Sequence, residues 1–212
     1  MTILKQIAEH LEKGNADDVA ELTRKAIEQK TDLQTILNDG LIAGMTVVGR
    51  KFKQHEIFLP DVLMAARAMY AGMDILKPLM IEEGIPSLGK VVLGTVKGDL
   101  HDIGKNLVAI MLRGAGFDVI DLGKDVPPEK FLDEAEKSGA SIIGMSALLT
   151  TTMPVMQHVI ELARQRGLYG KVHFLVGGAP LSAEYAGKIG ADAYCFDGIS
   201  AVERAKNIMG VT

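Results

Sequence analysis

The sequence contains no tryptophan, and Cys195 is its only cysteine. One thiol excludes a disulfide framework and a cysteine-based metal cluster, and it points to a reducing, cytoplasmic setting. No window approaches the roughly 18 uninterrupted apolar residues of a membrane span. The start, Met1-Thr2-Ile3-Leu4-Lys5, lacks the basic stretch and apolar run of a signal peptide. A surplus of positive charge is also missing. The net charge is −4, so the basic face expected of a nucleic-acid partner has no support. Neither a Gly-x-Gly-x-x-Gly nor a Walker pattern occurs. These absences leave a globular chain that meets neither membrane nor nucleic acid.

What is present is ample apolar material, 48% of 212 residues, enough for one large or two small domains without staples. Residues 1–83 read as helices. Ile3, Leu4, Ile7, Ala8 and Leu11 follow the spacing of one buried face. Gly14-Asn15 breaks that helix, and Val19, Leu22, Ala26 and Ile27 form the stripe of a second. Thr31-Asp32-Leu33-Gln34 matches a capping box with Gln34 at the third helical position. The third helix carries Ile36, Leu37, Leu41, Ile42, Met45 and Val48, with Gly40 and Gly44 placed to let helices approach closely. The polar segment Lys51–Glu56 interrupts the pattern, and Ile57-Phe58-Leu59-Pro60 opens a fourth helix, with proline where its missing N–H does least harm. Four helices with short connections predict a small bundle. The methionines at 45, 64, 69, 73 and 80 read as flexible packing within it.

Gly84-Ile85-Pro86-Ser87-Leu88-Gly89 ends the helical periodicity and is the expected boundary between a helical domain at 1–88 and a second domain at 89–212. Beyond it, short apolar runs at 91–95, 118–121, 141–146, 173–176 and 193–195 alternate with helical patterns at 103–114, 128–138, 153–167, 181–188 and 199–209. That alternation predicts an α/β domain: a five-stranded, parallel, doubly wound sheet of Rossmann-like or flavodoxin-like type.

In such a sheet the loops after the strands gather along one edge, where ligands bind. The first loop, Gly98-Asp99-Leu100-His101-Asp102-Ile103-Gly104, carries a histidine with acids on either side. The loop after the third strand reads Ser146-Ala147-Leu148-Leu149-Thr150-Thr151-Thr152. The loop after the fourth begins Gly177-Gly178-Ala179-Pro180. Each has an ordinary explanation taken alone. A lone histidine at a strand end is usually a hydrogen-bonded surface residue, hydroxyls after a strand cap the next helix, and Gly-Gly is a turn. The hydroxyls and glycines also suit a nucleotide phosphate.

Together they resemble the cobalamin-binding module of corrinoid proteins, which shows Asp-x-His-x-x-Gly, then Ser-x-Leu, then Gly-Gly. Asp99, His101 and Gly104 match the first part, Ser146 and Leu148 the second, and Gly177 and Gly178 the third. The helical half is similar to the cap of methionine synthase and of methyl-transfer corrinoid proteins, so the likeness covers essentially the whole chain. It implies a cofactor, cobalamin as methylcobalamin and cob(I)alamin or a related corrinoid. His101 would be the axial cobalt ligand, Asp99 its carboxylate partner, and Thr152 the hydroxyl completing the relay. Gly98, Asp102 and Ile103 would belong to the same loop site. Gly104, Gly177 and Gly178 would admit the displaced nucleotide tail, Ser146 and Thr150 would hydrogen-bond it, and Leu148 would wall it. Phe52, Leu59 and Val62 would cover the methyl face, with bundle core as the plain alternative for them.

No zinc cluster or other donor-activating apparatus is visible, so the resemblance implies a free-standing methyl carrier that is not itself a catalyst. It would accept methyl groups through a substrate-specific corrinoid methyltransferase, with methylamine or quaternary-amine donors favoured over methanol and methoxyarenes, in methanogenesis or acetogenesis. It would deliver them to a second methyltransferase acting on tetrahydrofolate or coenzyme M, with a reductive activase acting on Co(II). An adenosylcobalamin mutase subunit would share the histidine loop, but usually without the helical cap. A cobalamin light sensor would add a DNA-binding domain and a tryptophan. A flavodoxin-like phosphate binder would leave the Asp99–His101 pair without a purpose.

Overall fold

The computed structural model describes residues 2–211 and divides into two compact units. The first comprises residues up to Ser87 with Gly114–Gly116, and the second runs from Leu88 to Arg113 and from Phe117 onward.

The first unit is helical: α1 (Ile3–Glu12), α2 (Ala16–Glu28), α3 (Leu33–Thr35), α4 (Ala43–Lys53) and α5 (Leu59–Glu82). A π-helical stretch, Ile36–Ile42, joins α3 to α4, so the third expected helix is one continuous run with a widened middle. Its start differs from the sequence reading. Asp32, not Thr31, caps it, accepting from the Thr35 N–H at 2.7 Å and the Thr35 hydroxyl at 2.8 Å. Gln34 therefore falls at the second helical position. The polar segment does not stop α4 at once, because Arg50, Lys51 and Lys53 complement the carbonyl end of its last turn. Gly40 and Gly44 do permit close approach: an added Cβ would lie 3.2 Å from Ile7 and 2.9 Å from the Ala8 carbonyl of α1. At α5, the Asp61 carboxylate accepts from the Phe58 N–H at 2.8 Å, and Pro60 occupies the first turn. Ile7, Leu11, Val19, Ile36, Leu41 and Val62 are fully buried in this unit.

The second unit alternates β1 (Lys90–Thr95), α6 (Ile103–Gly114), β2 (Asp118–Asp121), α7 (Pro128–Ser138), β3 (Ile142–Ser146), α8 (Met153–Gln165), β4 (His173–Gly177), α9 (Ala183–Ile189), β5 (Ala193–Cys195) and α10 (Gly198–Ile208). All pairings are parallel, in the order β2-β1-β3-β4-β5. The chain direction across the sheet reverses between β1 and β3, and that switch point opens a crevice at the strands' carboxyl ends.

Side chains alternate across a strand, and the two faces of this sheet are filled differently. Val92, Ile143, Met145 and Phe174 point to one face. There they join Phe131 and Leu132 of α7 and Met156, Val159 and Ile160 of α8 in a closed core. Val91, Leu93, Gly144 and Leu175 point to the other, where α6 and α10 cover a cavity of about 710 Å³ instead of dry packing. No helix among the described residues is long and apolar enough to cross a membrane.

Phe131 is fully buried, and its ring fills the space that a Cβ at Gly94 would need. Phe131→Ala is expected to cost about 3–5 kcal/mol, since the closed face cannot collapse onto the void. Urea unfolding followed by circular dichroism checks this, with the midpoint falling and the slope unchanged.

Candidate functional site

The site is built on two loops that flank the switch point. Gly98 takes a left-handed φ of +83°, which a side chain would resist, and so turns the chain back after β1. Its N–H donates to Asp125 at 2.7 Å, and the Asp125 N–H donates in turn to the Asp99 carbonyl at 3.1 Å. The buried Thr95 hydroxyl donates to the His101 carbonyl at 3.0 Å. The loop is thus held from β1 and from the segment that follows β2.

Asp99 is completely buried. Its Oδ1 accepts from His101 Nδ1 at 2.7 Å and from the His101 N–H at 3.1 Å. Its Oδ2 accepts from the Thr152 hydroxyl at 2.8 Å and from the Leu148 and Leu149 N–H groups at 2.8 and 3.1 Å. Burial alone would raise this carboxyl. Donation from the His101 ring, the Leu148 and His101 amides and the Thr152 hydroxyl overrides it, and the group lies well below the usual carboxylate range. A carboxylate that accepts from Nδ1 fixes the imidazole tautomer. Nε2 is left without a hydrogen bond among the described residues, on a side chain that is 51% exposed.

His101 stands at the mouth of the cavity on the open face, whose lining also includes Asp102, Ile103, Gly104, Ser146, Leu148, Gly177 and Gly178. A Cβ at Gly104 would meet no protein atom within 4 Å, so that position faces open space. The two later glycines have another reason. Gly178 has φ +136°, and a Cβ there would sit 1.9 Å from the Ala147 carbonyl oxygen. A Cβ at Gly177 would lie 3.0 Å from the Cys195 carbonyl. Their bareness therefore serves backbone packing between β3, β4 and β5, and both also line the cavity. Thr150 is exposed and does not line the cavity. In the helical unit, Phe52 and Leu59 are half-buried, while Val62 is fully buried and serves the core.

Sequence reasoning overlooked several residues. The Leu148 and Leu149 amides carry no side-chain signal. Asp125, 27 residues from Gly98, gave none either. Lys105 lines the cavity and is almost entirely buried, with its ammonium 2.6 Å from both Asp121 oxygens and 2.7 Å from Asn106. Lys105 and Asp121 tie the first turn of α6 to the end of β2. The Gly-Lys-Asn wording after the histidine loop was the available hint.

Because the folded-state carboxyl of Asp99 lies below its ordinary value, its contribution to stability is complete above about pH 4 and is lost on further acidification. Asp99→Asn is expected to lose about 2 kcal/mol or more at pH 7, since an amide turns one acceptor against the donors around it. The same variant should fall less steeply than the native chain toward pH 3. Urea midpoints at the two pH values measure both effects.

Comparison with known proteins agrees with this geometry. A family described as the B12 binding domain matches residues 89–206, and a second family with that description matches residues 3–77. The chain is 45% identical over 213 residues to a corrinoid protein of Desulfitobacterium hafniense, covering 99% of each. It is 44% identical over 208 residues to the dimethylamine corrinoid protein of Methanosarcina barkeri, covering 98% of this chain and 97% of that one. Among solved structures, it superposes on a chain of the methanol:cobalamin methyltransferase complex of Methanosarcina barkeri with a TM-score of 0.88 and 34% identity, covering 99% of this chain and 80% of that one. A cobalamin-binding protein from Desulfitobacterium hafniense gives 0.79 and 29%, covering 97% and 98%. The chain belongs to the cobalamin-binding corrinoid proteins of the methyltransferase type.

Proposed function

We propose that the chain is a methyl carrier. It takes a methyl group from a substrate-specific corrinoid methyltransferase and yields it to a second methyltransferase acting on tetrahydrofolate or coenzyme M, with a reductive activase as a third partner. The observation that carries this reading is one imidazole, oriented by a buried carboxylate, at the mouth of a large apolar cavity.

Three features fit a corrinoid. Among the described residues no cluster of three or more His, Cys, Asp or Glu could hold a bare metal ion, so a metal at His101 must bring its other ligands, as cobalt in a corrin ring does. The cavity, about 710 Å³, is within the usual range for ligand sites and suits a nucleotide tail. Gly104 leaves the approach to it clear.

When bound, the cobalt supplies the centre that carries the methyl group. The chain's own residues manage the imidazole. Asp99 holds the Nδ1 proton, which directs the Nε2 lone pair outward. Thr152 and the two loop amides keep Asp99 ionised. A proton on Nε2 uses the same lone pair as a metal bond, so protonation and ligation exclude one another, and Asp99 compensates the imidazolium charge. The helical unit, 1–88, has the role of shielding the methyl group, with Phe52 and Leu59 as its contributors and Gly84–Gly89 as the hinge.

The donor reading favours a methylamine or quaternary amine, supported by 44% identity to a dimethylamine corrinoid protein. Methanol and methoxyarenes are the competing donors.

Reconstitution with methylcobalamin tests the carrier. The native chain should retain the corrinoid and show a histidine-ligated spectrum, while His101→Ala should show the spectrum of the unligated form. Failure of the native chain to retain corrinoid would sink the reading, and identical spectra would remove His101 as ligand. For the donor, methyl loading by partner methyltransferases should proceed with methylated amines; loading from methanol alone would overturn that choice.

A further inference from the structure

The cavity changes character with depth, and the sheet register sets the change. Parallel pairing arranges the cavity-facing residues in rows. The upper row, at the carboxyl ends of the strands, holds Ser146, Gly177 and Cys195. The next row on this face holds Leu93, Gly144 and Leu175, and below it lies Val91. Two residues along a strand span about 6–7 Å, so each row lies that far beneath the one above. Hydroxyl and thiol thus occur only in the upper row, and the deeper rows offer hydrocarbon alone. Leu112 of α6 and Ala201 of α10 extend the same lining.

His101 and Asp102 belong to the loop after β1, and the polar groups beside the deeper lining are already committed. Backbone groups of the deeper rows belong to the parallel ladder. Lys105 is held by Asp121 and Asn106. Asp197 accepts from the Ser200 N–H at 2.7 Å as the cap of α10. Tyr194 packs against the core on the opposite face. Burial pushes the Cys195 thiol up to about 12, so it stays neutral and only weakly polar. At Gly144 the Leu93 side chain leans over the bare backbone: an added Cβ would lie 2.6 Å from Leu93 Cδ1 and push that side chain aside.

Resting on the corrinoid reading above, we propose that this cavity selects corrinoids whose lower base is an apolar aromatic ring, such as dimethylbenzimidazole, over those bearing adenine. The covalent order of the tail places phosphate and ribose nearer the corrin ring and the base at the far end. Phosphate and sugar then meet the mouth and the upper row, while the base reaches Leu93, Leu175 and Val91. Adenine carries an exocyclic amine and several ring nitrogens that would lose water there without gaining a partner. Dimethylbenzimidazole replaces most of these with carbon, and its methyl groups add apolar surface.

The test titrates the apo-chain with three probes: cobalamin, its adenine-base analogue, and cobinamide, which lacks the nucleotide. Absorbance and calorimetry give the affinities. Cobalamin should bind about ten- to a hundredfold more tightly than the adenine analogue, the discrimination that unpaired polar groups produce in an apolar pocket. Cobinamide should bind weakest. Equal or tighter binding of the adenine analogue overturns the proposal, as does cobinamide binding as well as cobalamin. Binding of none of the three overturns the corrinoid reading itself. Leu175→Asn, which places an amide in the deeper row, should narrow the preference, and an unchanged ratio in the folded variant would remove the base from that row. Gly144→Ala should weaken cobalamin while sparing cobinamide. The native ratio decides the proposal even where a variant fails to fold.

Discussion

A single buried carboxylate ties the two halves of the switch point together. Asp99 on the loop after β1 accepts from Leu148, Leu149 and Thr152 on the loop after β3, and from His101 beside it. A buried charge without partners would cost several kcal/mol. With donors converging from two loops, the same charge becomes the point on which both are fixed. Loop geometry, imidazole tautomer and the exposure of Nε2 all follow from that one group remaining ionised.

The unequal filling of the sheet is the second organising fact. The face toward α7, α8 and α9 is a dense core, which gives the sheet its rigidity. The face toward α6 and α10 forgoes part of that packing. Gly144 and Gly177 on the middle strands bring no side chain to the open face, and Lys105 with Asp121 anchors α6 at the edge. One layer of the unit therefore secures the fold and the other leaves room for a guest. A sheet packed equally on both faces would have strand ends but no interior to receive anything.

Much of this was legible in the residues. Short apolar runs alternating with helical stripes specify the parallel sheet closely, because burial on both sides leaves little choice of strand residues. The Asp99, His101 and Gly104 spacing was legible because side-chain chemistry carries it. Other features left no trace. The Leu148 and Leu149 donors are backbone groups, identical in every residue type. Asp125 and Asp121 act across 27 and 16 residues, a proximity that only the fold creates. The π-helical stretch lies against α1, where a Cβ on Gly40 would come within 3.2 Å of Ile7, and the apolar spacing alone does not distinguish it from an ordinary helix. The glycines at the end of β4 are plain in the sequence, but their close approach to the Ala147 and Cys195 carbonyls depends on strand register.

The tethers on His101 also divide the free energy between folding and binding. Its carbonyl is held by Thr95, its N–H and Nδ1 by Asp99, and the turn before it by Asp125. Ordering a loop and a side chain on binding costs about 0.5–1.5 kcal/mol for each mobile side chain. Here that entropy is given up once, when the chain folds, and no incoming or departing group has to meet it again. The imidazole waits in one posture, so in the proposed carrier role repeated ligation and release would proceed without the loop being reassembled each time.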